Sequence, residues 1–189
     1  MKKIKNYLIN KRIKNPFFSI ITVVKNNDHQ INKTIKSVIS QTYKNFEYLI
    51  IDGKSTDHTI SKILKFKKQI NFLLSENDQG IYYAMNKGIK NSVGEVILFV
   101  NCGDTLKPNA LKYVKKIFDG SNKIDFVFGT VKRHYTKSTI LKYGYNKKKL
   151  FYNFDFATAH STGFFLKKKI FLKYFLFNTK YKCSADYDL

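Results

Sequence analysis

Glu95-Val96-Ile97-Leu98-Phe99-Val100-Asn101-Cys102-Gly103-Asp104 is the stretch that decides the fold. Five consecutive apolar residues, Val96 to Val100, give way at once to a polar corner that carries a carboxylate. An unbroken apolar run of this length reads as a strand covered on both faces, as in a parallel sheet. Asp104 then falls just past the carboxyl end of that strand. In open α/β sheets, ligands bind along that edge.

The flanking sequence repeats the pattern. Residues 17–24, after Pro16, are rich in β-branched and aromatic side chains and stop at the turn cluster Lys25-Asn26-Asn27-Asp28. Ile31, Ile35, Val38 and Ile39 mark one face of a helix. Residues 46–51 form a second strand, ending in Asp52-Gly53-Lys54-Ser55-Thr56-Asp57. Ser55 or Asp57 can cap the next helix, whose apolar face is Ile60, Ile63 and Leu64. Phe72-Leu73-Leu74 is a third strand. Ile81, Ala84, Met85, Gly88 and Ile89 then recur at helical spacing, with Gly88 permitting close approach to the sheet. Beyond the opening stretch, Pro108 suits the first turn of a helix that points Leu111, Val114, Ile117 and Phe118 inward. Phe126-Val127-Phe128 is a further strand. Residues 130–156 lose the period and read as a small hairpin or irregular segment, before a strand at 164–166 and a helix at 168–175.

Strands alternating with helices specify a mostly parallel sheet with right-handed crossovers, an α/β architecture of three layers. Because the strands run the same way, the turns at 26–28, 52–57 and 101–104 converge on one edge. With 189 residues, the chain fits one domain or one domain plus a small addition. We read residues 1–15 as a basic leader outside the fold and 16–189 as the domain, with 129–189 as its acceptor-side part. No closing element follows Asp186-Tyr187-Asp188-Leu189, so the expectation is of a domain cut short there.

The net charge is +22, from 35 Lys and Arg against 13 Asp and Glu. Such a balance suits nucleic acid or an anionic membrane surface. The chain is also rich in Asn, Ile, Phe and Tyr and has only two prolines, a joint bias that an AT-rich coding sequence produces. Solvated lysines therefore account for much of the charge, and no specific nucleic acid partner is expected. Lysine clusters within 2–14 and at 147–149 leave a weak peripheral attraction to an anionic inner leaflet. No apolar run approaches the ~18 residues of a membrane span. The N-terminus lacks the apolar core of a secretory signal. The expected location is cytoplasmic, at the inner face of the plasma membrane. Cys102 and Cys183 provide neither a disulfide framework nor a metal-ligand spacing.

Asn101-Cys102-Gly103-Asp104 offers one carboxylate beside a flexible glycine. Magnesium and manganese prefer hard oxygen ligands and often take one or two carboxylates, with substrate phosphates and water completing the shell. The same residue types also build a turn for purely backbone reasons. Asp52 has the same two readings: a carboxylate for the base or ribose of a nucleotide, or part of a capped turn. Glu76-Asn77-Asp78-Gln79-Gly80 sets polar groups ahead of a helix N-terminus, where backbone N–H groups favour anions. Asn86 and Lys87 line that helix or lie in solvent.

Several stretches, in order, resemble family 2 glycosyltransferases with the GT-A fold. They are residues 19–26, Ser37-Val38-Ile39-Ser40-Gln41-Thr42-Tyr43, Glu47 through Asp52-Gly53-Lys54-Ser55-Thr56-Asp57-His58-Thr59, Ser75 to Tyr82, and Ala84-Met85-Asn86-Lys87-Gly88. The resemblance runs from residue 17 to the C-terminus. It implies transfer of a sugar from a nucleotide-diphosphate donor to the hydroxyl of a saccharide or lipid-linked acceptor, with inversion. It implies Mn2+ or Mg2+ as cofactor and a setting in surface polysaccharide or glycolipid synthesis. The metal position matches Asp104, with Gly103 where the usual pair has its preceding acid. Donor-side positions match Val23, Lys25, Asn26, Asp52, Asp78, Asn86, Asn101, Gly103 and His160, and Gly53 replaces the second of two adjacent aspartates. The late acidic site matches Ala185-Asp186-Tyr187-Asp188, with Asp186 as catalytic base and Asp188 as second candidate. An aspartate of ordinary pKa, about 3.9, is ionised at neutral pH and can take the acceptor's proton. His160 is equally read as a structural histidine. The rival expectation is a non-catalytic polyanion- or nucleotide-binding protein on the same scaffold, suggested by Gly53, Gly103 and Ala185. A nucleotidyltransferase would want a glycine-rich phosphate loop after the first strand, and Lys25-Asn26-Asn27-Asp28 contains no glycine.

Overall fold

The computed structural model describes residues 7–11, 13–134, 139–142, 162–174 and 176–180. The opening stretch forms β5 (Val96–Phe99), buried along its whole length. It pairs in parallel with β2 (Phe18–Val24), and β3 (Phe46–Asp52) and β4 (Phe72–Ser75) follow in parallel beyond β2. The remaining elements are β1 (Tyr7–Asn10), α1 (Ile31–Ile39), α2 (Thr59–Leu64), α3 (Ile81–Asn91), α4 (Ala110–Asp119), β6 (Phe126–Phe128), β7 (Val131–His134), β8 (Thr139–Lys142), β9 (Phe164–Lys167) and α5 (Lys168–Tyr174). The main sheet has seven strands in the order β1-β4-β3-β2-β5-β9-β6, and β7 pairs with β8 as a separate hairpin within the segment expected to hold one.

Alternation along the strands sends successive side chains to opposite faces. Ile20, Tyr48, Ile50, Leu73 and Leu98 join Ile31, Ile35, Val38, Ile63, Leu111 and Val114 from α1, α2 and α4. Ile21, Leu49, Ile51, Leu74, Ile97 and Phe99 join Tyr82, Met85, Ile89 and Phe171 from α3 and α5. The sheet is therefore covered on both faces, which is why its strands read as continuous apolar runs. Gly88 lies against the sheet as expected, since a Cβ there would sit 2.5 Å from Ile21 Cγ2.

Three expectations change. Residues 7–10 lie within the stretch read as a leader outside the fold, yet Tyr7–Asn10 pairs antiparallel with β4 and closes the sheet edge. The surrounding lysines hide a short apolar strand whose partner lies more than 60 residues away. The strand at 164–167 is inserted antiparallel between β5 and β6, so it separates two strands that sequence order alone would set side by side. Ile81, Ile117 and Leu64 are exposed, and Tyr82 turns inward instead of Ile81. The apolar stripes on these helices are narrower than their full apolar content.

Candidate functional site

The parallel strands deliver three turns to one edge, and side chains lace them together. The Asn26 backbone N–H donates to Ser55 Oγ (2.8 Å), and Asn26 Oδ1 accepts the Thr56 N–H (2.8 Å). The Asn27 N–H donates to Thr59 Oγ1 (3.0 Å), and the Asp28 N–H to Asp57 Oδ2 (3.2 Å). The Gly53 N–H reaches the Val24 carbonyl, and the Cys102 N–H reaches that of Val23. Beneath them, Thr22 Oγ1 donates to the Val100 carbonyl (2.7 Å) and lies 3.0 Å from the Tyr48 hydroxyl. Burial raises the Tyr48 pKa, so its phenol stays protonated.

Asp104 is half-buried at the end of β5. Its N–H closes a turn on the Asn101 carbonyl (2.9 Å), and its own carbonyl accepts the Thr34 hydroxyl (2.9 Å). The same hydroxyl accepts the Gly103 N–H (3.0 Å), so α1 holds the corner. Gly103 has a φ of +105°, and a Cβ there would lie 2.5 Å from Gln30 Oε1. The positive φ is what favours glycine here, since the tip of the Gln30 side chain could swing aside. Thr162 donates its hydroxyl to Asp104 Oδ2 at 2.5 Å, bringing the start of β9 to the corner. Behind the corner, the buried Gln41 donates to the Lys107 carbonyl and accepts the Leu111 N–H, fixing the route into α4.

Not every expected donor contact faces outward. Asp52 is fully buried, and its carboxylate accepts the Ser55 N–H (2.9 Å), Ser55 Oγ (2.5 Å) and Ser75 Oγ (2.7 Å). It shapes the turn rather than presenting a carboxylate to a nucleotide. Asn86 donates to the Phe177 carbonyl (2.8 Å) and accepts the Phe177 N–H (3.0 Å), tying α3 to the segment after α5. The Val23 side chain is buried. Lys87 straps its own loop, pairing with Glu76 at 3.0 Å and donating to the Asn77 carbonyl.

Lys25 is exposed and Asp78 half-buried. Both crowd one point: a Cβ at Gly53 would lie 2.8 Å from Asp78 Oδ2 and 3.1 Å from Lys25 Cδ. Asp78 thus occupies the space that an acid at position 53 would need. Its Oδ1 also accepts the Gly80 N–H at the start of α3 (3.2 Å). Asn101 and Gly103 sit at the corner itself. His160, Asp186 and Asp188 lie outside the described residues.

Two neighbouring acids are structural. Lys62 hydrogen-bonds Asp28 at 2.9 Å and holds its carboxyl below the usual range, with the charges of His29 and Lys62 adding to the effect. Hydrogen bonds from Thr59 lower Asp57 in the same way. A folded-state pKa below the unfolded value, about 3.9, adds stability above that value and loses it as the pH falls through the folded one. Lys62→Met is therefore expected to lower the melting temperature by a constant amount from neutral pH down to about 5. The difference from wild type then closes at more acid pH. Melting curves across that range check this, and a difference that grows on acidification contradicts it. Cys102 is pushed up to about 11, first by burial and then by the charges of Asp104 and Asp57, so it is a neutral thiol at physiological pH.

Whether the corner suits a divalent cation depends on the donor set. Among the described residues, no group of three or more His, Cys, Asp or Glu could hold a metal by itself. One carboxylate at the mouth of a strand edge fits an ion that the substrate's own phosphates help to hold, as Mg2+ is commonly bound.

Thr34, Thr162, Ser55 and Ser75 were not among the site residues expected from the sequence. Thr34 gave one signal, a hydroxyl three residues beyond Ile31 on the inward face of α1. Thr162 gave none.

A mostly parallel sheet with three polar turns gathered at its carboxyl edge and an aspartate after β5 defines a GT-A-type sugar-transferase scaffold. Residues 19–176 match the model of glycosyl transferase family 2, and the chain belongs to that family. An uncharacterised glycosyltransferase of Rickettsia typhi is 30% identical over 92% of this chain and 57% of its own length. A PGL/p-HBAD biosynthesis glycosyltransferase of Mycobacterium bovis is 27% identical over 92% of this chain and 68% of its own. Residues 1–349 of S. aureus TarS, solved with UDP, superpose with a TM-score of 0.73 at 19% identity, over 89% of this chain and 52% of that one. The mannosyltransferase PcManGT of Pyrobaculum calidifontis, solved with GDP-Man and Mn2+, gives 0.63 at 16% identity, over 90% and 50%. The chain thus spans between half and about two thirds of the length of these relatives.

Proposed function

We propose that the chain carries the donor-binding domain of a glycosyltransferase that moves a sugar from a nucleotide diphosphate to an acceptor hydroxyl with inversion. The observation that supports this most is the corner at Asp104, held by Thr34 and Thr162 on the edge where the other two turns meet. The nucleoside lies along the turns after β2 and β3, with Asp78 in place of the acid missing at position 53. Lys25, exposed at that edge, pairs with the donor's phosphates. Asp186 takes the proton of the acceptor hydroxyl as that oxygen attacks the anomeric carbon from the face opposite the diphosphate. Asp104 would hold Mn2+ or Mg2+, which would supply charge neutralisation for the diphosphate. The acceptor is a saccharide or a lipid-linked saccharide, and the reaction belongs to surface polysaccharide or glycolipid synthesis on the cytoplasmic side of a membrane. The nucleotides bound by TarS and PcManGT make UDP- and GDP-sugars the first donors to test.

Thermal denaturation with a panel of nucleotide sugars, with and without Mn2+, tests this reading. One donor is expected to raise the melting temperature with metal and not after chelation. At a hundredfold excess over Kd, the stabilisation is about 2.7 kcal/mol. A protein that responds to no nucleotide sugar, yet binds polyanions with a steep salt dependence, would instead be a binding module on this scaffold.

A further inference from the structure

We infer that the outward face of α5, together with the turn at Val93, docks on an anionic lipid bilayer. The helix reads Lys-Lys-Ile-Phe-Leu-Lys-Tyr. Phe171 is buried against Phe99 and Phe177 on the inner side, whereas Leu172 is 58% exposed. Leu176, four residues on and just past the helix, is 43% exposed, and Val93 47%. Val93 belongs beside α5 because Lys168 holds both of its flanks. The Lys168 N–H donates to the Glu95 carbonyl at 2.7 Å, and its ammonium donates to the Ser92 carbonyl. Glu95, Lys167, Lys168, Lys169 and Leu172 enclose an open hollow between the two.

The charge around these aliphatic side chains names the partner. Lys90, Lys169 and Lys173 are exposed, and Lys167 and Lys168 are half-buried. Asp125 answers Lys167 (3.6 Å) and Lys169 (3.3 Å), and Glu95 is the other acid here among the described residues. Five lysines and two carboxylates among the described residues make this face lysine-rich, in keeping with the chain's net charge of +22. Aliphatic side chains ringed by lysines, whose stems can lie along apolar surface while their heads stay in water, fit the boundary between headgroups and acyl chains. Single-stranded nucleic acid would call for open aromatic platforms beside these lysines; Phe171 points inward, and Phe126 of β6, 51% exposed, packs against Phe128 and Phe164. So short a helix gives shallow, reversible and salt-sensitive binding. The inference does not depend on transfer activity.

Sedimentation of the full chain with vesicles of phosphatidylcholine alone, or mixed with phosphatidylglycerol, tests it. Binding is expected only to the mixed vesicles. The pair Val93→Gln and Leu172→Gln is expected to lower the partition coefficient about tenfold or more at unchanged melting temperature. The pair Tyr113→Gln and Ile117→Gln, on the equally exposed face of α4, is expected to leave it unchanged. No binding to acidic vesicles overturns the inference, as does an equal loss in both pairs. Binding that survives the first pair and is competed by single-stranded DNA would assign the charge to nucleic acid instead.

Discussion

Replacing Asp186 by Asn is expected to lower turnover about 10²–10⁴-fold and to leave donor binding intact, whereas replacing Asp104 by Ala is expected to remove metal-dependent donor binding and turnover together. The two aspartates differ in what they meet. Asp186 is proposed to act on the acceptor's proton, and an amide of the same shape cannot take it. The nucleotide side should not register the change. Asp104 sits at the mouth of the donor edge, with its main chain clipped by Thr34. Removing its carboxylate spares the corner's backbone bonds but deletes the carboxylate that the described residues would offer a cation there. The several kcal/mol that a metal contributes to charge stabilisation correspond to about 10²–10³ in rate. Calorimetry and turnover with the donor found in the thermal screen separate the cases. Unchanged turnover in Asp186→Asn removes that residue as base. Donor binding that survives both Asp104→Ala and chelation removes the metal from Asp104.

What the sequence made legible follows from where each interaction lies. β2, β3 and β5 were readable because strands covered on both faces must be apolar throughout, and the polar turns that end them are abrupt. Parallel strands with local crossovers then bring those turns together without further information. The places of β1 and β9 were not readable, because four residues carry little pattern and their partners are distant in sequence. Within the site, the position of Asp104 was clear but its supports were not. Thr34 meets it from 70 residues away, Thr162 from 58, and Asn86 meets Phe177 from 91. Asp52 shows the other limit. Its place after a strand left two readings, a nucleotide contact or part of a capped turn, and the hydroxyls of Ser55 and Ser75 on its carboxylate favour the second.

Gly94→Ala is expected to cost about 3–5 kcal/mol, a large share of the ~5–15 kcal/mol that holds a domain together. Gly94 precedes the opening stretch at the sheet edge opposite the donor site. A Cβ there would lie 2.6 Å from Ser19 Oγ and 2.7 Å from the Phe18 carbonyl carbon and the Ser19 nitrogen, backbone of the central strand that cannot yield. The displacement would also open a buried node. Glu47, fully buried, accepts the Ser19 hydroxyl (2.5 Å), the Val93 N–H (2.5 Å) and the Gly94 N–H (3.2 Å), while that same N–H reaches Ser19 Oγ at 2.8 Å. Overpacking and lost hydrogen bonds therefore act together. At about 2–4 °C per kcal/mol for a chain of this size, the melting temperature falls roughly 6–20 °C. Gly120→Ala is the control: its backbone is already helical and the nearest atom to a new Cβ is 3.4 Å away, so stability holds or rises slightly. Urea melts of the three proteins decide it, and a Gly94→Ala midpoint equal to wild type would show that the turn can move off β2. Because the node lies at the far edge of the sheet, the folded fraction of Gly94→Ala should bind donor with wild-type affinity. That outcome would separate the framework of this domain from its chemistry.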